Sequence, residues 1–381
     1  MNAFRLSHIF NLLIASLGLT QCNPSWAQPE NTNLALKLGP NEHILQSGEF
    51  SADGRLFAVA TSSYKQGETI PGAIKFQSWS VKTGRPYASW KLKEMRRFAV
   101  SPTGRIVAVI TGERGKRSIE KEFAVELRDI HSGRILRTLI KPGATDSAIY
   151  GLAWSRDGRF LATSSGDALA RVWDVDSGRR ISTIYVGGFA GAVLFSSDGK
   201  HLITVGDRSR HGSRVKLWDW RRKMSFAGVN FDTYSTSTVL STSGDGKRLA
   251  VQDAFDGQTT LFELPSMRIE RQFSAEHDDN YMSLVASPKI VYSPDGRLAS
   301  VALENEVQLL GADSGEVLRR FRFKNLEHMR VLGMQFTSAR GFDMVVSPTD
   351  LTEYGSLVRR APLLRRISLS GPVQSLTSKK G

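Results

Sequence analysis

"SRDGRFLATSSGDALARVWDVDSGRR", residues 155–180, places three local patterns one after another. A Ser-x-Asp-Gly-Arg turn leads into a run of β-forming residues. After a short polar loop, a second run ends at Trp173-Asp174 and a Ser-Gly-Arg turn. Glycine adopts positive φ without strain and Asp before it favours a turn, so the stretch predicts strands joined by tight turns. "VKLWDWRRK", residues 215–223, repeats the second half, which indicates a repeated structural unit, a shared binding site or chance.

The Ser-x-Asp-Gly-Arg turn favours the repeated structural unit over the other two explanations. It recurs at intervals of about 40 to 50 residues, which is the repeat length of β-propeller blades. The glycines of six copies are Gly54, Gly104, Gly158, Gly199, Gly246 and Gly296, and a degraded seventh copy begins at Phe336. A later run in each copy ends at one shared position, occupied by Trp79, Arg128, Trp173, Trp218, Phe262 and Leu310. Four short strands per unit predict an all-β, seven-bladed β-propeller of four-stranded antiparallel blades.

A single blade cannot bury both of its faces, so neighbouring blades must cover each other. We therefore expect the shared position to lie on the third strand of each blade and its tryptophans to pack between blades. The structural residues predicted on this basis, besides the turn glycines, are Trp79, Trp173-Asp174 and Trp218-Asp219. Trp90 and Trp220 fall outside the repeat positions, and we expect them to be freer to act at the surface.

On these motifs the chain resembles the WD-repeat family of β-propellers, especially its bacterial "SPDGR" form, from about Asn33 to the C-terminus. Only the pairs at Trp173 and Trp218 keep the full Trp-Asp dipeptide. In the family a histidine bonds an aspartate in the loop between the second and third strands. Asp167 and Asp207 hold that loop position here, and their blades have no matching histidine.

The N-terminus is expected to close the ring. "LALKLG" from Leu34 resembles a fourth strand and precedes the first blade, and pairing the two chain ends would remove an exposed edge. "LLRRISLS" from Leu363 competes for the same outer place in the last blade. The predicted organisation is a propeller over residues 28–370 and a polar tail over 371–381.

Residues 1–27 read as a secretory signal peptide. Arg5 precedes a short apolar stretch, and small residues flank Trp26, which predicts cleavage after Ala27 and a periplasmic or secreted protein. A lipoprotein anchored at Cys22 is the disfavoured alternative, since Gln21 occupies a place where such signals have a small residue. An N-terminal core helix is the other alternative. Cleavage would remove Cys22, the single cysteine of the chain, and with it all thiol chemistry.

The formal net charge of +14 favours anionic partners. The sequence has no nucleophile, zinc or phosphate-loop motif, so no catalytic residue, cofactor or small-molecule substrate is predicted. "EHDDN", residues 276–280, is the densest acidic cluster. A solvated loop is favoured there over a cation site because no ligand spacing is specified. No metal site is therefore predicted.

Long loops between second and third strands are the predicted partner site, because loops on a rigid scaffold commonly carry function. Two of them are basic, with Arg114, Lys116 and Arg117 on one and Arg208, Arg210, His211 and Arg214 on the other. The predicted function is a monomeric, non-enzymatic scaffold that binds a protein or an acidic polymer. The alternatives are a propeller enzyme using the central channel and, if the signal is retained, an intracellular nucleic-acid-associated scaffold.

Overall fold

The computed structural model describes most of the chain between residues 33 and 368. The described ranges are 33–38, 42–45, 48–63, 74–114, 121–145, 147–209, 212–231, 238–253, 258–273, 290–294, 296–303, 306–322, 328–338, 341–351, 357–359 and 362–368. All thirty elements within these ranges are β-strands. The prediction of an all-β propeller with four-stranded antiparallel blades is confirmed.

The strands form seven antiparallel sheets, five with four strands and two with five. The first strand, β1 (Asn33–Ala35), joins the last sheet. The first sheet contains β2 (Glu42–Ile44), β3 (Glu49–Phe50), β4 (Leu56–Ser63), β5 (Ile74–Ser80) and β6 (Pro86–Leu92). The second contains β7 (Arg97–Val100), β8 (Ile106–Arg114), β9 (Lys121–Asp129) and β10 (Ile135–Ile140).

The third and fourth sheets are the most regular. The third contains β11 (Ile149–Trp154), β12 (Phe160–Ser165), β13 (Leu169–Asp174) and β14 (Arg180–Tyr185). The fourth contains β15 (Ala190–Phe195), β16 (His201–Ser209), β17 (Gly212–Asp219) and β18 (Met224–Phe231). Trp173 and Trp218 therefore lie on third strands, as the repeat predicts.

The last three sheets complete the series. The fifth contains β19 (Thr238–Thr242), β20 (Arg248–Asp253), β21 (Thr259–Glu263) and β22 (Ile269–Phe273). The sixth contains β23 (Ile290–Tyr292), β24 (Leu298–Leu303), β25 (Glu306–Gly311) and β26 (Val317–Arg322). The seventh contains β27 (His328–Ser338), β28 (Gly341–Leu351), β29 (Leu357–Arg359) and β30 (Leu363–Ser368), together with β1.

The first and seventh sheets depart from the expected four strands. In the first, the innermost strand is split into β2 and β3, which both pair with β4. In the seventh, β28 pairs with β27, β29 and β30. The outer place of the seventh sheet belongs to β1, which pairs with β30 in the register Ala35↔Leu363. The expected N-terminal closing strand is thus confirmed, and the competing segment from Leu363 is the strand it pairs with.

Contacts between innermost strands follow chain order from β3 to β7, β11, β15, β19, β23 and β27, and β27 contacts β3 in turn. The apolar cores lie between neighbouring sheets. Trp173 packs with Phe123 and Ile110 of the second sheet, and Trp79 packs with Val345 and Leu364 of the seventh. Each sheet therefore buries its faces against its neighbours, as a propeller requires.

The expectation for Trp90 and Trp220 was wrong, because both are packed. Trp90 stacks on Phe76 at 4.6 Å between ring centroids, and its Nε1 donates to the carbonyl of Ile130 at 2.9 Å. Trp220 is only 3% exposed, and its Nε1 donates to the carbonyl of Gly199 at 3.0 Å. Both indole N–H groups thus donate to backbone carbonyls, while the rings make apolar contacts between the sheets.

Candidate functional site

The repeated turns are held by a local hydrogen-bond pattern that explains their residue types. In the third sheet the Ser155 hydroxyl donates to Asp157 at 2.5 Å and accepts from the N–H of Phe160 at 2.8 Å. The same serine-to-aspartate bond occurs in the first, fourth and fifth sheets. Each turn glycine adopts a positive φ, which is 73° at Gly158. The recurring serine, aspartate and glycine of these turns therefore stabilise the fold.

Electrostatics agree with this structural role. Burial opposes ionisation of Asp157, but hydrogen bonds from the Ser155 hydroxyl and the Arg159 N–H outweigh it and lower the pKa of Asp157. Asp174 accepts from the Ser177 hydroxyl and N–H, which lower its pKa. These carboxylates are ionised acceptors within turns.

The third-strand tryptophans also have structural partners. Trp173 Nε1 donates to the Thr163 hydroxyl at 3.2 Å, and Trp218 Nε1 donates to the Thr204 hydroxyl at 2.9 Å. Both rings are 6% exposed. Asp167, at the loop position the family resemblance indicates, is held by Arg171 at 2.5 Å. Arginine thus supplies the partner that histidine supplies in the family.

One repeat position escaped the sequence reasoning. The residue directly after the Trp-Asp position is buried and donates its N–H to the carbonyl of the turn cation, as Val175 does to Arg159 at 2.9 Å. Val81, Ile130 and Ala312 occupy the equivalent place in other sheets. Trp220 follows Asp219 directly, so aligning this position would have placed its ring in the core.

Because the strands within each sheet are antiparallel, the loops at the two ends of a sheet lie on two different faces. The turn face carries the Ser-x-Asp-Gly turns and the turns between third and fourth strands. The link face carries the loops between second and third strands and the links from a fourth strand to the next first strand. The pairs Ile74↔Leu92 and Arg97↔Ile110 place the link of residues 93–96 on the link face.

A basic run lies on this link and was not singled out from the sequence. Lys91, Lys93, Arg96 and Arg97 are exposed, and Glu94 is the acidic residue among them. "KLKEMRR", residues 91–97, is the sequence signal that identifies the run. The link is short, whereas the sequence prediction rested on long loops.

Contacts hold part of this run to the neighbouring sheets. Arg97 Nη1 donates to the carbonyl of Tyr150 in the third sheet at 2.5 Å. The Tyr150 ring packs on Phe189 at 4.5 Å between centroids, and Phe189 belongs to the link before the fourth sheet. Arg96 lies over the Phe123 ring at 5.3 Å. Cations and aromatic rings therefore form a fixed surface across the second to fourth sheets.

The structure describes only part of the loop residues predicted as the partner site. Arg114 ends β8 and Arg208 lies near the end of β16, both towards the link face, and Arg214 is exposed on β17. Lys116, Arg117, Arg210 and His211 lie outside the described residues.

Several turn-face cations lie close to acidic side chains. Arg159 lies 3.5 Å from Asp174, and Arg222 lies 3.8 Å from Asp219. Lys200 lies 3.9 Å from Asp198 in its own turn. These exposed pairs contribute little stability, but they offset the positive charge of the turn face.

Within the described ranges, no group of three or more His, Cys, Asp or Glu side chains could hold a metal ion. The acidic segment 276–280 lies outside those ranges. Among the same residues, no helix is long and apolar enough to cross a membrane.

Comparison with known proteins agrees with the fold. Residues 133–174 match the family described as "WD domain, G-beta repeat". The matched residues lie in the second and third sheets, and the match agrees with the β-propeller fold. Jouberin of Rattus norvegicus is 30% identical over 120 residues, which cover 31% of this chain and 10% of jouberin.

Two other relatives match over similar stretches. SEC12-like protein 1 of Arabidopsis thaliana is 30% identical over 140 residues, 35% of this chain and 34% of the relative. The guanine nucleotide-binding protein subunit beta of Oryza sativa subsp. indica is 27% identical over 148 residues, 38% of this chain and 39% of the relative. The matches thus span well under half the length of these relatives.

Proposed function

We propose that this propeller is of the WD-repeat type and is a non-enzymatic scaffold that binds an acidic protein or acidic polymer through its link face. The observation that carries the proposal is the exposed basic run at residues 91–97, which lies beside the exposed ring of Tyr150. The name of one relative describes a subunit of a larger protein, which agrees with a docking role.

Charge distribution favours the link face over the turn face. Turn-face cations such as Arg159 and Arg222 have carboxylates within 4 Å, whereas the run at residues 91–97 includes one acidic residue, Glu94. Screening limits exposed charges to about 8 Å at physiological ionic strength, so local excess matters more than the charge of the whole chain. An acidic partner should therefore recognise the link face.

The geometry of the run favours a defined orientation of the partner. Arg97 is tied to the Tyr150 carbonyl, so its guanidinium loses less freedom on binding than an unanchored side chain would. Arginine donates several hydrogen bonds in a fixed plane, which suits carboxylate, sulfate or phosphate groups. The basic loop residues Arg114 and Arg214 would extend the same surface towards the second-to-third-strand loops.

We further propose that all seven sheets are blades of one closed ring. The support is the circuit of contacts between innermost strands, which returns from β27 to β3, and the pairing of β1 with β30. A closed ring has no innermost edge and gives the link face a rigid base.

Export is the third part of the proposal. The charged start, the apolar stretch and the small residues around Trp26 support cleavage after Ala27 and a periplasmic or extracellular location. Sequencing the N-terminus of the protein purified from its native cells tests this directly. We expect the mature chain to begin at Gln28. An intact Met1 would contradict export and favour the intracellular, nucleic-acid-associated alternative.

Two matched triple variants test the docking face. The link-face variant carries Lys91→Ser, Arg96→Ser and Arg97→Ser, and the turn-face variant carries Arg105→Ser, Arg134→Ser and Arg179→Ser. Both remove three exposed cations and so change the net charge equally. In affinity purification from a cell-envelope fraction, we expect the wild type and the turn-face variant to retain the same acidic partner. The link-face variant should lose it, and equal retention by all three proteins would contradict the proposal.

A further inference from the structure

The seam between the seventh and first sheets contains a cavity of about 460 Å³ on the turn face. Pockets for small ligands commonly measure about 300–1,000 Å³. The polar side chains that matter most in its lining are Asp53, Arg55, Ser80 and Lys82 of the first sheet and Gln335 and Asp343 of the seventh. None of these residues belongs to the proposed docking surface, which is on the opposite face.

At two other seams the turn of the preceding sheet lies in contact with the next turn. A methyl group built on Gly158 of the third sheet would lie 3.6 Å from the Pro102 ring in the turn of the second. A methyl group on Gly296 would lie 3.2 Å from Ser243 in the turn of the fifth. In these seams, consecutive turns lie against each other and close the gap between sheets.

The turn of the seventh sheet is the degraded copy, and its residues 339–340 lie outside the described residues. β27 and β28 extend to Ser338 and Gly341, which pair with each other. A methyl group on Gly54 would meet, among described residues, only the Gln335 side chain, 2.6 Å from its Nε2. Within the described residues, Gln335 is therefore the neighbour that the seventh sheet presents to the turn of the first, and the cavity lies beside it.

A second departure from the repeat exposes a cation to this cavity. In the third sheet the turn cation Arg159 is paired with Asp174, the aspartate of the Trp-Asp pair. Ser80 occupies the equivalent position in the first sheet. Arg55 is instead 3.8 Å from Asp53 of its own turn, and its side chain is 85% exposed. The serine leaves Arg55 with one acidic partner among the described residues, the Asp53 carboxylate of its own turn.

Charges in the cavity are arranged by depth. Asp343 is 1% exposed, whereas Arg55 and Lys82 are exposed at the rim. A ligand would therefore meet the Asp343 carboxylate inside and, at the rim, the two cations, with Asp53 beside Arg55. We propose that the cavity binds a small zwitterion of the α-amino acid type, with its ammonium group towards Asp343 and Gln335 and its carboxylate towards Arg55 and Lys82. Charge-assisted hydrogen bonds at both ends would discriminate it from purely anionic or neutral molecules.

Calorimetric titration of the full chain tests the proposal, with the common free L-amino acids as probes. We expect at least one to bind. Its N-acetyl derivative and its carboxamide should each bind about tenfold more weakly or worse, because each lacks one charge. No heat with any probe, or binding that survives both modifications, would overturn the proposal. Equally tight binding of inorganic phosphate or of a neutral sugar would also overturn it.

Ser80→Asp supplies the matched variant. It restores the carboxylate found in the third sheet, so Arg55 should pair internally and amino-acid binding should weaken about tenfold. Asp174→Ser makes the reverse change two sheets away and should leave binding unchanged. Asp343→Asn should also weaken amino-acid binding. If the Asp343→Asn variant does not fold, the Ser80→Asp variant at the half-buried rim still tests the proposal. Unaltered binding by a folded Ser80→Asp variant would contradict the assigned role of Arg55.

Discussion

Trp79 and Trp218 offer a direct comparison between two tryptophans at one repeat position. Both lie on third strands and are buried between sheets. Trp218 Nε1 donates to the Thr204 hydroxyl at 2.9 Å, whereas Trp79 Nε1 has no acceptor among the described residues. Trp→Phe at each position removes the N–H and part of the ring. The two variants therefore share their loss of apolar contact and differ in the hydrogen bond.

The expected difference follows from the cost of that bond. A typical intramolecular hydrogen bond contributes about 1 kcal/mol, and a buried group left unsatisfied costs about 1–3 kcal/mol. Trp218→Phe loses the bond and deprives Thr204 of its donor. Trp79→Phe removes a donor that is already unsatisfied, which offsets part of the lost packing. We expect Trp218→Phe to lower the free energy of unfolding by about 1–2 kcal/mol more than Trp79→Phe.

Urea denaturation followed by circular dichroism measures the difference without depending on tryptophan fluorescence. Trp173→Phe is the internal control and should resemble Trp218→Phe, since Trp173 donates to Thr163 at 3.2 Å. Trp173→Ala and Trp218→Ala should each cost about 3–5 kcal/mol, the usual loss for a buried aromatic side chain. An equal loss in both Phe variants, or a larger loss at Trp79, would refute the reasoning.

Three further changes test the electrostatic and packing description. Arg248 forms ion pairs with Glu270 at 2.8 Å and with Asp313 of the sixth sheet. Arg248→Gln should therefore lower the free energy of unfolding by about 1 kcal/mol at low salt and by less at high salt. A loss of stability that does not depend on salt would argue against these ion pairs. The pKa values of Asp157, Asp198 and Asp245 are lowered because hydrogen bonds to Ser155, Ser196 and Ser243 outweigh burial. Their contribution is present above the unfolded pKa of about 3.9 and is lost as pH falls through the lower folded pKa. Replacing all three aspartates by Asn should make the free energy of unfolding fall less steeply below about pH 4. An unchanged pH dependence of the free energy of unfolding would count against the stabilising role of these carboxylates. Burial raises the pKa of Tyr292, whose hydroxyl has no partner among the described residues, so Tyr292→Phe should leave the urea midpoint equal or higher; a clearly lower midpoint would indicate a hydrogen bond there.

The propeller could be predicted because its units repeat local chemistry. A turn such as Ser155–Arg159 needs a glycine at positive φ and a serine that bonds the aspartate, so sequence alone marks the hairpin. The third-strand tryptophans Trp79, Trp173 and Trp218 follow their turn glycines by 25, 15 and 19 residues, within the length of one unit. Closure by the N-terminal strand was also predictable, since the pattern of a fourth strand recurs before the first unit.

Features that depend on neighbouring sheets were harder to predict. Trp220 was misplaced because its burial depends on the layer between the third and fourth sheets, where Phe160 packs against its ring at 5.1 Å. The cavity at the last seam lies between the first unit, which has Ser80, and the seventh unit, which has the degraded turn. The cavity could not be predicted from either unit alone, because residues 80 and 335 come together only in the folded chain.

The most direct test of the docking account uses defined anionic probes and the two triple variants. The measurement is the salt concentration at which each protein elutes from immobilised heparin and, separately, from immobilised poly-L-glutamate. The account predicts that the link-face variant elutes at clearly lower salt than the wild type, while the turn-face variant elutes close to it. Equal shifts of both variants would show that net charge recruits the partner, and would contradict a docking site on the link face.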